Sequence, residues 1–395
     1  MSTPPRPIFV LSGRCEPPTV HAAEAEFETT VLLEVRCGDV PVTPAEPRSL
    51  LLLSVGGPSS PDPELLGAAL ERSGGPDAES TRLEVLPGPT EARAPATRGL
   101  FAQPFPTLSA ALETLAERMS SMPATQRPVL VVRGPTAENA DAVLRAVQRL
   151  EQTGRGVDVL AASVLVDAGL AARIAQVDGG VFAVVDGIEL LVGALELRRR
   201  TWHDTVAATT RLELEVAGGV TPLRAFRLDP VPAFLGPVRL SSTGDRRLSL
   251  PVGPIAAGRA VRFLVTFTAV RRRLGRYRLL EARLRNAGDV TVEPRSLSVV
   301  QTCTDDPGAT WVEAEVTAAR DVVELGAWID DVVRAFSEAD HRRVATTLDR
   351  IGRRFVELGR PADGVFTAEV RSRYLRGGII ERRDLNRLRG LAIGG

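Results

Sequence analysis

Residues 49–57, Ser-Leu-Leu-Leu-Leu-Ser-Val-Gly-Gly, form an unbroken apolar run that ends in a turn of small residues. Such a run reads as a strand buried on both faces, the central first strand of an open α/β sheet. A strand in that position delivers its last residues to the carboxyl edge of the sheet, where folds of this kind take up their ligands. What stands after Leu53 therefore decides the chemistry. It is Ser54-Val55-Gly56-Gly57-Pro58, without a carboxylate. Ser54 with Gly56 and Gly57 reads either as a plain tight turn or as backbone N–H groups offered to an anion.

Strand and helix signals alternate from this run to residue 201. Leu65, Leu66, Ala69 and Leu70 lie at helical spacing in 61–73, closed by Gly74-Gly75, and predict the first crossover helix. Residues 82–86 read as a short strand. The prolines and glycines of 87–106 predict an irregular connection with an edge hairpin near Leu100-Phe101. In 108–120, Ala111, Leu112, Leu115 and Met119 share one helical stripe. Strands at 129–132, 157–164 and 179–185 then alternate with helices at 137–152, 167–176 and 187–200. That alternation requires parallel strands joined by right-handed crossovers.

The flanks have other periods. In 19–42, Phe27, Thr29, Val31, Leu33, Val35 and Cys37 fall on one parity, and Glu24, Glu26, Glu28, Glu34 and Arg36 on the other, as in strands with one wet face. Short alternating runs from 209 to 317, among them Val261-Phe263-Val265-Phe267, predict an antiparallel sandwich. From 318 onward the pattern is helical, with helices at 322–338, 340–358, 362–375 and 381–391 forming a small bundle. Trp328 and Phe336 share a helical face and read as core of that bundle.

Composition narrows the chemistry. A chain of 395 residues has room for two or three domains, and a formal net charge of zero points to neither nucleic acid nor a membrane surface. All 49 basic residues are arginine, so a Schiff base, a phosphate-loop lysine and a lysine general base are excluded. Cys15, Cys37 and Cys303 are far apart and read as reduced thiols. The apolar patch at 7–11 is too short for a signal-peptide core, and no run approaches the roughly twenty apolar residues of a spanning helix. A cytoplasmic protein is expected. His21, His203 and His341 fall in different predicted domains, no Gly-x-Ser-x-Gly elbow is present, and the glycines near 13–18 and 253–258 lack the context of a phosphate loop. Arg271, Arg272, Arg273, Arg276 and Arg278 cluster at a predicted hairpin, where acid pairing at a turn and an acidic partner surface are both open. Arg198-Arg199-Arg200 suits a helix carboxyl terminus.

The order of these units resembles bacterial von Willebrand factor A (VWA) domain proteins. The residues that carry the resemblance are Leu170-Ala171-Ala172-Arg173-Ile174-Ala175 followed by Gly179-Gly180-Val181-Phe182, and the Trp-Ile-Asp, Ala-Phe and Leu-Gly pieces of 327–359. The resemblance implies a VWA-like doubly wound parallel sheet at 48–202, inserted into an antiparallel β-sandwich and followed by a C-terminal helical bundle. The sandwich would be built from 1–47 and 203–318, and the bundle from 319–395.

In that family a divalent metal is held by an Asp-x-Ser-x-Ser turn, a threonine and a second aspartate. Here the first aspartate falls on Ser54, the serines on Gly56 and Pro58, the threonine on Pro106 or Thr107, and the last aspartate on Arg133. A hard cation takes oxygen ligands and usually a carboxylate, so the resemblance implies a degenerate site with no metal and no cofactor. The expected role is a non-enzymatic adaptor. Ser54, Gly56, Gly57, Thr107 and Arg133 would form its interaction surface, and an AAA+ ATPase of the MoxR type, or a stress or conflict system, would supply its partner. Arg133 reads either as a solvated loop arginine or as a fixed cation that takes a partner's carboxylate in a two-pronged ion pair. A metal-dependent binder, and a hydrolase with a pocket near Asp167 or Asp186, are the other classes.

Overall fold

The computed structural model describes residues 8–21, 26–38, 48–56, 81–86, 105–123, 125–133, 140–161, 174–175, 179–185, 188–207, 210–229, 233–237, 240, 246–270, 272–286, 291–292, 296–306 and 313–393. The chain begins with β1 (Ile8–Glu16), β2 (Thr19–His21) and β3 (Glu26–Cys37). It then runs through β4 (Arg48–Val55), β5 (Thr81–Leu86), α1 (Leu108–Met119), β6 (Gln126–Val132), α2 (Ala140–Gln152), β7 (Asp158–Ala161), β8 (Phe182–Val184) and α3 (Ile188–His203). The strands β9 (Thr205–Ala207), β10 (Thr210–Val216), β11 (Val220–Arg227), β12 (Ala233–Pro237), β13 (Arg247–Pro251), β14 (Ile255–Ala256), β15 (Ala260–Val270), β16 (Gly275–Asn286), β17 (Thr291–Val292) and β18 (Leu297–Thr304) follow. The tail is α4 (Ala314–Ser337), α5 (His341–Glu357), α6 (Pro361–Gly377) and α7 (Arg382–Ile393). The helix expected at 61–73, the hairpin near Leu100-Phe101, and Asp167 and Asp186 lie outside the described residues. Of the helix expected at 167–176, only Ile174 and Ala175 are described, and both are helical.

The apolar run became the centre of a five-stranded sheet, ordered β5-β4-β6-β7-β8, in which every pair is parallel. Leu51 and Leu53 face α1 and α2 on one side, while Leu50 and Leu52 face α3 on the other. None of the four leucines is more than 1% exposed, and burying each stabilises the fold by roughly 1.5–3 kcal/mol. Trp202 ties α3 back to the sheet by donating its indole N–H to the Thr125 carbonyl at 2.9 Å. Arg48 donates to the Trp202 carbonyl and lies over its ring.

Two layers make the sandwich, antiparallel except for one parallel edge pair in each, β1 with β17 and β18 with β2. One is a six-stranded sheet, β12-β11-β15-β3-β1-β17; the other is a five-stranded sheet, β13-β10-β16-β18-β2. β3 is central to the first and pairs with β15, with Val31 opposite Val265 and Leu33 opposite Phe263. Their inward side chains form the core between the layers. Because β1–β3 and β10–β18 share sheets, the α/β unit is an insertion in the sandwich.

Five local expectations change. β1 was not anticipated: Phe9, Leu11 and Cys15 face inward, but the third inward position is Gly13, whose added Cβ would lie 2.8 Å from Leu297, and this glycine hides the alternation. β11 was also missed, because a register shift between Pro222 and Arg224 breaks its period. The tail helix begins at Ala314, earlier than its apolar stripe suggested, and its first turns cover the outer face of the six-stranded sheet. Val316 and Ala319 pack there on Leu32, Phe226 and Leu264, so the face of β3 expected to be wet is partly dry. Phe336 is 37% exposed at the rim of the bundle, edge-on to Tyr374, and is not core. Trp328 packs against the bundle core and carries the Arg350 guanidinium over its ring at 4.0 Å.

The inserted domain meets the sandwich backbone to backbone. Gly179 and Gly253 both have left-handed φ, 76° and 80°, and a Cβ on Gly179 would sit 2.5 Å from the Gly253 Cα. Any side chain here forces the domains apart. Gly179→Ala is therefore expected to lower stability by more than about 1 kcal/mol, read as a lower urea midpoint; an unchanged midpoint would refute the contact.

Candidate functional site

Strand order in the parallel sheet reverses between β4 and β6, since β5 lies on one side of β4 and the later strands on the other. A crevice opens at the carboxyl edge of such a switch point. Its floor is built from the ends of those two strands. Ser54 and Val55 register with Val131 and Val132, and the Arg133 N–H continues the ladder by donating to the Val55 carbonyl at 2.8 Å.

A second loop is stitched onto this floor. Phe105 N–H donates to the Ser54 carbonyl at 2.7 Å, and Gly56 N–H donates to the Phe105 carbonyl at 3.1 Å. Phe105 is buried, which anchors Pro106 and Thr107 at the rim. Thr107 is the N-cap of α1: its Oγ1 accepts the Ala110 N–H at 3.2 Å and lies 3.4 Å from Ser109 Oγ. The structure thus brings Ser54, Gly56, Thr107 and Arg133 to one edge. Gly57 lies outside the described residues.

Arg133 is 5% exposed, which corrects the reading of a solvated loop arginine. It extends a buried strand and is engaged within the chain. A partner carboxylate reaching a free, outward-pointing fork is not the geometry found. Ser54 is buried as well, and its Oγ has no hydrogen-bond partner among the described residues. One orphan hydroxyl, one capping hydroxyl and a buried guanidinium do not fit a divalent cation, which takes hard, mostly anionic oxygen ligands. No group of three or more His, Cys, Asp or Glu side chains that could hold a metal occurs among the described residues.

The other motifs found local explanations. His203 Nδ1 lies 3.0 Å from Asp204, and His341 Nδ1 lies 2.6 Å from the Tyr374 hydroxyl. In the arginine-rich hairpin, Arg278 pairs with Glu281 at 3.0 Å, and Arg272 donates to the Gly218 carbonyl at 2.6 Å.

No family model matches the sequence, and neither does any curated protein. Solved structures do match. A von Willebrand factor type A protein from Catenulispora acidiphila superposes with a TM-score of 0.74 at 16% identity, over 94% of this chain and 91% of that one. The fold is a VWA-type fold. The ArnB paralog VWA2 from Sulfolobus acidocaldarius matches with a TM-score of 0.56 at 11% identity, over 97% and 98% of the two chains. The likeness spans the VWA-like sheet, the sandwich and the tail together.

At the amino edge of the VWA-like sheet lies a charged group that periodicity did not reveal. Asp158 Oδ1 accepts Arg127 Nη2 at 2.9 Å and the Val181 N–H at 3.0 Å, while Arg198 and Arg227 act on the same carboxylate. Burial alone would raise the Asp158 carboxyl; the charges of Arg127 and Arg198 and the two hydrogen bonds hold it below its ordinary value. The sequence signal was a single charge at the start of each of two buried strands, Arg127 before Val129 and Asp158 after Val157. Arg198 thus does more than complement its helix terminus.

Ser54→Ala removes a hydroxyl without a partner among the described residues, so the unfolding midpoint is expected to stay or rise; a loss above about 1 kcal/mol would show a hidden partner. Asp158→Asn strips the carboxylate from the buried arginines and is expected to destabilise by about 3–5 kcal/mol. Because folding depresses the Asp158 pKa, its stabilisation is full above the unfolded value of about 3.9 and is lost as pH falls further, through the folded pKa. The wild-type minus Asp158→Asn difference in unfolding free energy is expected to shrink below that pH, as measured by denaturant titrations across acid pH.

Proposed function

We propose that the chain is a non-enzymatic, protein-binding adaptor that uses the carboxyl edge of its VWA-like sheet without a divalent metal. One observation carries this reading. Where a hard cation would need carboxylates, strand ends deliver the Ser54 hydroxyl and the Arg133 guanidinium, both buried. The internal cation makes a bound metal redundant and repels one. Among the described residues, what the edge leaves outward is the rim at Pro106, an exposed residue held in place by the Phe105 bridge to Val55. A rigid, exposed rim suits docking of another protein better than turnover of a small substrate. The whole-length likeness to VWA proteins supports a binding role by fold analogy alone. The family resemblance favours an AAA+ ATPase of the MoxR type as the partner. No helix among the described residues is long and apolar enough to cross a membrane.

Titration calorimetry with magnesium and with manganese is expected to give no saturable heat, and micromolar binding of either ion would replace this reading with a metal-dependent binder. Pro106→Arg, at the exposed rim, is expected to abolish co-purification of the partner from the source cells while leaving the melting temperature unchanged. Retained co-purification would move the interface away from this edge.

A further inference from the structure

Among the described residues, the seam between the VWA-like domain and the sandwich encloses more positive charge than negative. Arg127 begins β6, Arg198 stands near the end of α3, and Arg227 closes β11 in the sandwich; they are 5%, 9% and 2% exposed. Asp158 is the carboxylate they share, so among the described residues three guanidiniums face one buried acid. Taking unbalanced charge out of water is expensive, and proteins do so when pairing and hydrogen bonds compensate.

The hydrogen bonds are incomplete in the same place. Arg227 Nη2 donates to the Gly180 carbonyl, but its Nε and Nη1 have no partner among the described residues. The Nε atoms of Arg127 and Arg198 have none there either, among the same described residues. Burial draws the Arg227 guanidinium down to about 10, with Asp158 opposing and the like charges of Arg127 and Arg198 reinforcing. It therefore keeps its proton at neutral pH and keeps its demand for acceptors. A water molecule would answer the unpaired N–H groups and leave the charge. An acceptor that is itself negative answers both.

We propose that this seam binds one small inorganic anion, a halide or a tetrahedral oxyanion, between Arg227 of the sandwich and Arg127 and Arg198 of the inserted domain. The site exists only when the two domains are docked, because Arg227 comes from one and its companions from the other. Anion binding therefore stabilises the docked arrangement, and the site lies at the opposite end of β6 from Arg133, about 20 Å away at 3.3 Å per residue.

The test uses the full chain in gluconate buffer at fixed ionic strength, with chloride, bromide, sulfate or phosphate replacing gluconate stepwise. The wild type is expected to gain a saturating rise in melting temperature with either the halides or the oxyanions, which names the class. Arg227→Met is expected to lose that rise. A midpoint that ignores anion identity, or an equal rise in Arg227→Met, overturns the proposal. A second measurement needs no variant: bromide-soaked crystals of the wild type, or sulfate-grown ones if only oxyanions stabilise, are expected to show an ion within about 3.5 Å of the Arg227 guanidinium. Density there for a carboxylate of the chain itself overturns the proposal too.

Discussion

An inserted domain is attached to its host by two chain crossings, so its orientation depends on whatever fills the joint. Here the joint, among the described residues, is a contact of two bare backbones, Gly179 against Gly253, flanked by an arginine that leaves the sandwich and donates to the Gly180 carbonyl. Neither part is a hydrophobic plug. Backbone contacts without side chains admit one approach distance, and a buried guanidinium tolerates few positions of its acceptors. The joint therefore supplies geometry more than free energy, and it fixes where the carboxyl edge of the parallel sheet points relative to the sandwich.

The use of arginine throughout acquires a physical sense in this setting. Four guanidiniums, those of Arg127, Arg133, Arg198 and Arg227, lie at the two edges of one sheet with almost no exposure. Guanidinium is less strongly hydrated than ammonium and spreads its charge over a planar fork, so burying it is less unfavourable and each hydrogen bond is better directed. Lysine at the same four positions would be far more prone to lose its proton. Lysine is absent from the sequence, and the fold makes structural use of the basic residue that it has.

Much of the architecture was legible because it rests on simple periods. The leucines of β4 announced a strand covered on both faces, the parity of Val31, Leu33 and Val35 announced a sheet face, and the stripe from Ala111 to Met119 announced a helix. The reading failed where a period was interrupted or where burial came from elsewhere. Gly13 occupied an inward position without a side chain, and the register shift in β11 exchanged its faces midway. Leu32 lies on the parity of the glutamates and is buried by Val316 and Ala319, nearly three hundred residues later. At the candidate edge, sequence position gathered Ser54, Gly56, Thr107 and Arg133, but the burial of Arg133 depends on neighbours that no local pattern encodes. The Asp158 group was invisible for the same reason: its members are single charges on four separate elements.

The interleaved topology also sets an order on synthesis. β3 has β1 on one side and β15 on the other, and β15 is made more than two hundred residues after it. While the ribosome works through the α/β segment, β3 has one open edge, with Val31, Leu33 and Val35 still waiting for Val265, Phe263 and Val261. The middle of this polypeptide can mature before its beginning, and the amino-terminal strands depend on late arrivals to be sealed.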